Sequence, residues 1–213
     1  LGRCLFCDDC VRACSHGAIT FRTEYRMAVR QRKDLVIERH IHDGLTAETG
    51  MTPNAERRTQ NAEQALGNKY PLARALERES RRLFGRSLKL RQVSAGGCNA
   101  CEADVNVLNT VVFDLGRFGV QFVASPRHAD GLLITGPVSQ NMRLALEKTY
   151  AAVPAPKIVI AVGACAISGG PYIGHPECCN GADPVLPVDL YIPGCPPHPM
   201  TTLDGIVRLL GRL

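Results

Sequence analysis

Leu88-Lys-Leu-Arg-Gln-Val-Ser-Ala-Gly-Gly-Cys-Asn-Ala-Cys-Glu102 opens as an apolar run of strand length and ends in a paired-glycine loop that carries two cysteines. The pattern recurs twice downstream. The run at residues 158 to 162 leads into Gly163-Ala-Cys165, and the run at residues 188 to 192 leads into Pro193-Gly-Cys195. Two further runs, 120 to 123 and 131 to 135, complete five candidate strands. Between them lie stretches of helical character at 102 to 114 and 140 to 151, and a last one follows at 201 to 210. Strands alternating with helices argue for an α/β fold built on a parallel sheet with helices on both faces. Open parallel sheets bind their ligands outside the carboxyl ends of the strands. Cys98, Cys101, Cys165 and Cys195 are therefore expected to meet at one sheet edge. In the last helix Leu203, Ile206, Val207 and Leu210 make one apolar stripe, with Thr201 or Thr202 as the expected cap.

Cys98-x2-Cys101 alone is compatible with a redox dithiol, half of a zinc site or chance. The surrounding Gly96-Gly97, Gly163, Gly169-Gly170 and Gly194 let backbone approach a bulky inorganic group, and Pro193, Pro196 and Pro197 stiffen the last loop. Four thiolates in such loops suit a 4Fe-4S cluster. A structural Cys4 zinc site is the competitor, but zinc sites usually draw on two close pairs, whereas Cys165 and Cys195 are single and far apart. The cluster is the preferred reading. A second group, Cys4-Leu-Phe-Cys7-Asp-Asp-Cys10-Val-Arg-Ala-Cys14, has the C-x2-C-x2-C-x3-C spacing of bacterial ferredoxins. Two cysteine groups of this kind in one short chain suggest an electron relay.

Composition narrows the alternatives. With 213 residues, 45% of them hydrophobic, the chain can bury one sizeable core and a small appendage. Ten cysteines would also suit a disulfide-stapled secreted protein, but such proteins are usually much shorter, and no signal peptide is recognisable. The chain opens on Leu1 rather than Met, which leaves room for an upstream segment. The longest apolar run, residues 158 to 167, is about half of the roughly 20 residues a membrane-spanning helix needs, so membrane contact is expected to come through partners. Residues 1 to 92 carry 18 Lys and Arg against 11 Asp and Glu, and residues 93 to 213 carry 7 against 9. The basic half suits an acidic protein neighbour better than nucleic acid, for which no binding motif is present.

Three regions are expected. Residues 1–40 form a cysteine-bearing segment whose short apolar runs at 18 to 21 and 34 to 37 suit strands. Residues 41–70 read as a polar linker broken by Gly44, Gly50, Pro53 and Gly67. Residues 71–213 begin with an amphipathic helix at 71 to 84 and continue into the sheet.

The strings Cys98-Asn-Ala-Cys-Glu102, Arg117-Phe-Gly119, Ser125-Pro-Arg-His-Ala-Asp130, Thr135-Gly-Pro-Val138, Val162-Gly-Ala-Cys-Ala166 and Tyr191-Ile-Pro-Gly-Cys-Pro-Pro197 closely resemble the small electron-transfer subunit of membrane-bound nickel-iron hydrogenases of the formate hydrogenlyase type. The homologous 20 kDa, or B, subunit of respiratory complex I shares most of them. This resemblance, over residues 72 to 213, implies a flavodoxin-like domain holding one 4Fe-4S cluster through Cys98, Cys101, Cys165 and Cys195, beside the nickel-iron site of a large partner subunit. The first two ligands are adjacent in complex I, so the separation by Asn99 and Ala100 favours the hydrogenase branch.

Arg3-Cys-Leu-Phe-Cys7, Cys10, Cys14 and Gly17-Ala-Ile-Thr20 resemble the second half of the two-cluster ferredoxin subunit of the same complexes, with Ser15 where a proline usually follows the fourth cysteine. In that family the fourth cysteine of one motif ligates the other cluster. Cys4, Cys7, Cys10 and Cys14 are thus candidate ligands of a second centre that lacks a certain fourth ligand. Glu102 matches an acidic position of the family and is a candidate for orienting the cluster loop or passing protons, against a solvated helix-start carboxylate. Arg127 and His128 are candidates for tuning the cluster or lining the partner interface, against packing with Asp130. His198 is weighed as a hydrogen-bond donor to sulfur against a plain surface residue, and Cys178-Cys179 as non-ligand free thiols.

The expected function is electron relay between ferredoxin-type clusters and the partner's nickel-iron site, with no substrate chemistry in this chain. A ferredoxin-like subunit or segment is the other neighbour and a membrane arm is met indirectly, peripheral to the cytoplasmic face. A complex I-like subunit passing electrons to quinone and a zinc-bound assembly module are the alternatives.

Overall fold

In the computed structural model, residues 1–21, 23–37 and 87–210 are described. The expected linker and the helix at 71 to 84 lie outside them.

Five strands form one wholly parallel sheet in the order β2-β1-β3-β4-β5. They are β1 (Leu88–Ser94), β2 (Val120–Phe122), β3 (Gly131–Thr135), β4 (Ile158–Val162) and β5 (Leu190–Ile192). This is the flavodoxin-like order, whose switch point falls between β1 and β3. Strand alternation divides the core between the two faces. Leu132, Ile134, Val159, Ala161 and Tyr191 face one way. Leu133, Ile160, Val162, Leu190 and Ile192 face the other. The first face is covered by α3 (Gln140–Ala152) and the short α4 (Ala164–Ser168), the second by α2 (Ala100–Val107) and α5 (Pro199–Leu209). All five residues of β3 are buried, as a central strand covered on both sides requires.

Three local expectations are corrected. α2 ends at Val107 rather than near Asp114. The Thr110 hydroxyl competes for backbone groups, bonding the Val107 carbonyl at 2.7 Å, and beyond the helix end Val111 and Val112 are 94% and 83% exposed. α5 is capped by His198, whose Nδ1 accepts the Met200 amide at 3.1 Å, and Thr201 and Thr202 are buried within its first turn. In the N-terminal segment, Arg32–Leu35 is a 3-10 turn that drives Leu35 into the core, and residues 18 to 21 belong to no helix or strand.

Residues 1–37 belong to the same compact unit as the sheet. α1 (Asp9–Ala13) carries Cys10 and has no buried residue.

Candidate functional site

The carboxyl ends of β1, β4 and β5 open into one recess lined by Cys98, Cys101, Cys165 and Cys195. Each thiol is delivered by a different local device. Asn99, in the left-handed conformation (φ 72°), turns the chain from the β1 loop into α2, so that Cys98 precedes the helix and Cys101 sits in its first turn. Cys165 is the second residue of α4, entered through Gly163 at φ 93°, ψ 156°, a conformation open essentially to glycine alone. A side chain there is excluded on a second count, because a Cβ on Gly163 would stand 2.6 Å from the Cys101 sulfur. Cys195 lies in the loop after β5.

Cys98 and Cys195 are exposed, whereas Cys101 and Cys165 are half-buried. Burial, with the neighbouring Glu102 and the three other thiols adding to it, pushes Cys101 up to about 12. Burial and then Cys195 and Cys98 push Cys165 up to about 11, and Cys195 is raised by burial and Cys98. These thiols resist ionisation until positive charge arrives beside them, and a bound metal supplies such charge. Among the described residues no three of His, Cys, Asp and Glu are gathered tightly enough to hold a single metal ion.

Glu102 is not a solvated carboxylate. It is 7% exposed, and its Oε1 accepts 2.6 Å hydrogen bonds from Ser94 Oγ and Thr135 Oγ1. Burial raises its pKa, but the two hydroxyl bonds and a bond from its own backbone amide together outweigh that, and the net shift is downward. Ser94 and Thr135 are the last residues of β1 and β3 and stand in register, so Glu102 ties α2 to the switch point. They were not singled out in the sequence, although hydroxyl residues closing two apolar strands are a readable signal. Glu102→Leu is expected to leave the buried Thr135 hydroxyl with only its 3.4 Å contact to the Val93 carbonyl. A loss of about 1–3 kcal/mol should appear in denaturant unfolding, with Glu102→Gln costing less because it keeps an acceptor.

The other candidates lie elsewhere. Arg127 and His128 sit exposed on a 3-10 turn, Pro126–His128, within the β2–β3 crossover and do not line the recess. β2 pairs only with Leu88 to Leu90, so it ends beside the start of β1, short of the carboxyl edge. His198 is exposed and occupied with its capping bond. Cys178 and Cys179 are free thiols outside the recess lining; the Cys179 amide bonds the Val138 carbonyl at 2.8 Å. In the N-terminal group, Cys4 and Cys14 are half-buried, and Cys7 and Cys10 are exposed. The amides of Phe6 and Ala18 point at the sulfurs of Cys4 and Cys14, at 3.4 and 3.3 Å. Hydrogen bonds from backbone amides, that of Ala18 first, lower the Cys14 pKa.

The chain is 47% identical over 130 residues to formate hydrogenlyase subunit 7 of Escherichia coli, an overlap covering 60% of this chain and 50% of that protein. It is 42% identical over 132 residues to the probable membrane-bound hydrogenase subunit mbhJ of Pyrococcus furiosus, covering 62% and 79% of the two. It thus spans half the length of the first relative and most of the second. A chain of the archaeal membrane-bound sulfane sulfur reductase superposes with a TM-score of 0.53 at 37% identity, covering 59% of this chain and 70% of that one. The model of the NADH ubiquinone oxidoreductase 20 Kd subunit family matches residues 98–209, from the first cysteine of the recess to the end of the last helix. The chain belongs to that family of oxidoreductase subunits.

Proposed function

We propose that this chain is an electron-transfer subunit that holds a 4Fe-4S cluster through Cys98, Cys101, Cys165 and Cys195. It relays electrons between ferredoxin-type clusters and the nickel-iron site of a large partner subunit in a membrane-bound hydrogenase complex. The observation that carries this reading is the convergence of four thiols from three strand ends on one recess, with glycine at 163 where any side chain would strike the Cys101 sulfur. The donor set fits the group. All four groups are thiols, and the two deepest are held protonated by burial, so that metal binding would exchange protons for iron. Two of the four thiols, Cys165 and Cys195, are single and far apart in sequence, which suits a cluster better than a structural zinc site, usually drawn from two close pairs.

When bound, a 4Fe-4S group accepts and gives up single electrons at a potential set by charge, hydrogen bonding and solvent exposure. The chain itself supplies burial on the Cys101 and Cys165 side, the Glu102 brace and an open face at Cys98 and Cys195. That open face is where the large subunit would sit. No catalytic residue is assigned in this chain. Cys4, Cys7, Cys10 and Cys14 are the ligands proposed for a second centre, completed by a ferredoxin-like subunit or segment. No helix among the described residues is long and apolar enough to cross a membrane, and peripheral attachment at the cytoplasmic face through partner subunits is part of the proposal.

A complex I-like role, passing electrons to quinone, is the second reading, favoured by the family match and opposed by the two residues between Cys98 and Cys101. Metal content of the native complex, captured anaerobically through this chain, separates the readings. Nickel near one per complex together with several irons is the expected result. Iron without nickel would move the assignment to quinone reduction, and zinc without iron would end the relay reading.

A further inference from the structure

β5 is the outer strand of the sheet on its side, and an outer strand presents unpaired amides and carbonyls that a further extended segment can use. Here the chain itself uses them. Val29 and Tyr191 exchange both backbone hydrogen bonds, at 2.9 and 2.8 Å, as an antiparallel bridge. Around it, Arg32 Nη1 reaches Asp183 Oδ2 at 3.3 Å, and the other oxygen of Asp183 accepts the Tyr191 hydroxyl. Arg30 reaches the Leu209 carbonyl at 3.5 Å. The pairing of Arg32, from the basic half, with Asp183 follows the charge division of the chain.

Gly205 is the most specific sign of fit. It lies inside α5, where glycine costs about 1 kcal/mol relative to alanine, and its backbone needs no glycine, being helical. A Cβ there would stand 2.6 Å from the Ala28 Cβ, so the missing side chain leaves a notch that Ala28 fills. Beyond this segment the cysteine-bearing stretch meets α4. Ser168 Oγ donates to the Gly2 carbonyl at 2.9 Å, and a Cβ on Gly2 would stand 3.0 Å from Ile167 Cγ2.

We propose that the β5 edge and the Gly205 notch form a capture site for residues 25–35 of the same chain, paired to the edge through Val29, and that this capture, rather than the connection through residues 38–86, fixes the N-terminal cysteine motif against α4. One consequence rests on the relay reading: the path between the two cysteine groups runs through α4, the helix that carries Cys165.

The test is a protease site inserted after Gly50 in the full chain and cut after purification. The two pieces are expected to co-elute on gel filtration. Gly205→Ala should weaken their association about tenfold or more, although it improves helix propensity, and Ala28→Gly in the Gly205→Ala background should restore it. In the uncut chain, the amides of Val29 and Tyr191 should exchange with solvent about tenfold faster in Gly205→Ala, with those of Leu132 to Ile134 unchanged. Pieces that part as soon as the wild-type chain is cut, or a Gly205→Ala variant that holds as tightly as wild type, would overturn the proposal. Association needs no metal, so an iron-free protein that still co-elutes would remove only the consequence drawn from the relay reading.

Discussion

Exchanging Cys165 for alanine is expected to empty the recess of iron while leaving the fold standing. In α4, Ala-Cys-Ala-Ile-Ser, Cys165 stands between Ala164 and Ala166. Alanine has the highest helix propensity and only a sulfur is removed, so the iron-free variant should unfold within about 1 kcal/mol of the iron-free parent. The metal, by contrast, loses one of four proposed anchors on the buried side, where water is a poor replacement. Iron and sulfide assays on anaerobically purified protein should show the recess content lost. The visible absorption that remains should be that of an N-terminal centre alone, if one is loaded. Cys178→Ala serves as the comparison, because Cys178 does not line the recess, and its iron content should match the parent. A Cys165→Ala protein with its full complement of iron would remove Cys165 from the ligand set and the assignment of the recess with it.

The parts of this site that were legible in the sequence share a cause. Residues 131 to 135 and 158 to 162 form strands to the residue, because a central strand buried on both faces is a continuous apolar run, and both run directly into glycine, Gly136 and Gly163. Placing the cysteines at one edge then follows from parallel topology alone. In these two strands local chemistry and the overall fold agree.

Contacts between elements were not legible. Nothing local to Glu102 says that it bonds Ser94 and Thr135; that depends on the register of β1 against β3 and on where α2 starts. Arg127 and His128 follow β2, but β2 pairs only with Leu88 to Leu90, so its end lies beside the start of β1 rather than at the carboxyl end that opens into the recess. Residues 34 to 37 looked strand-like because they are apolar, yet Leu35 contributes to the core from a 3-10 turn. The pairing of Val29 with Tyr191 spans more than half the chain, and no window of sequence contains both partners.

Gly163→Ala should be nearly as damaging to the recess as loss of a ligand, although no donor atom is removed. Two costs add. The backbone at φ 93°, ψ 156° is one an alanine adopts only with strain of about 1–3 kcal/mol. The strain is hard to relieve, because the Gly163 amide is committed to the Ile192 carbonyl and the Ala164 amide to the Gly194 carbonyl, each at 2.8 Å. The new methyl would also stand 2.6 Å from the Cys101 sulfur, so Cys101 must swing away from the other three thiols or α2 must shift as a body. A shift of α2 would pull on the bonds from Ser94 and Thr135 to Glu102. Gly174→Ala separates strain from collision. Gly174 also has positive φ, at 77°, but a Cβ there meets nothing within 4 Å, so that variant carries only the cost of a left-handed alanine, about 1–2 kcal/mol, and should keep its iron. The expected result is reduced stability in both variants, with iron lost from the recess in Gly163→Ala alone. Equal iron in the two would mean that the Cys101 sulfur is not held where the site needs it, and that the glycine serves the turn rather than the metal.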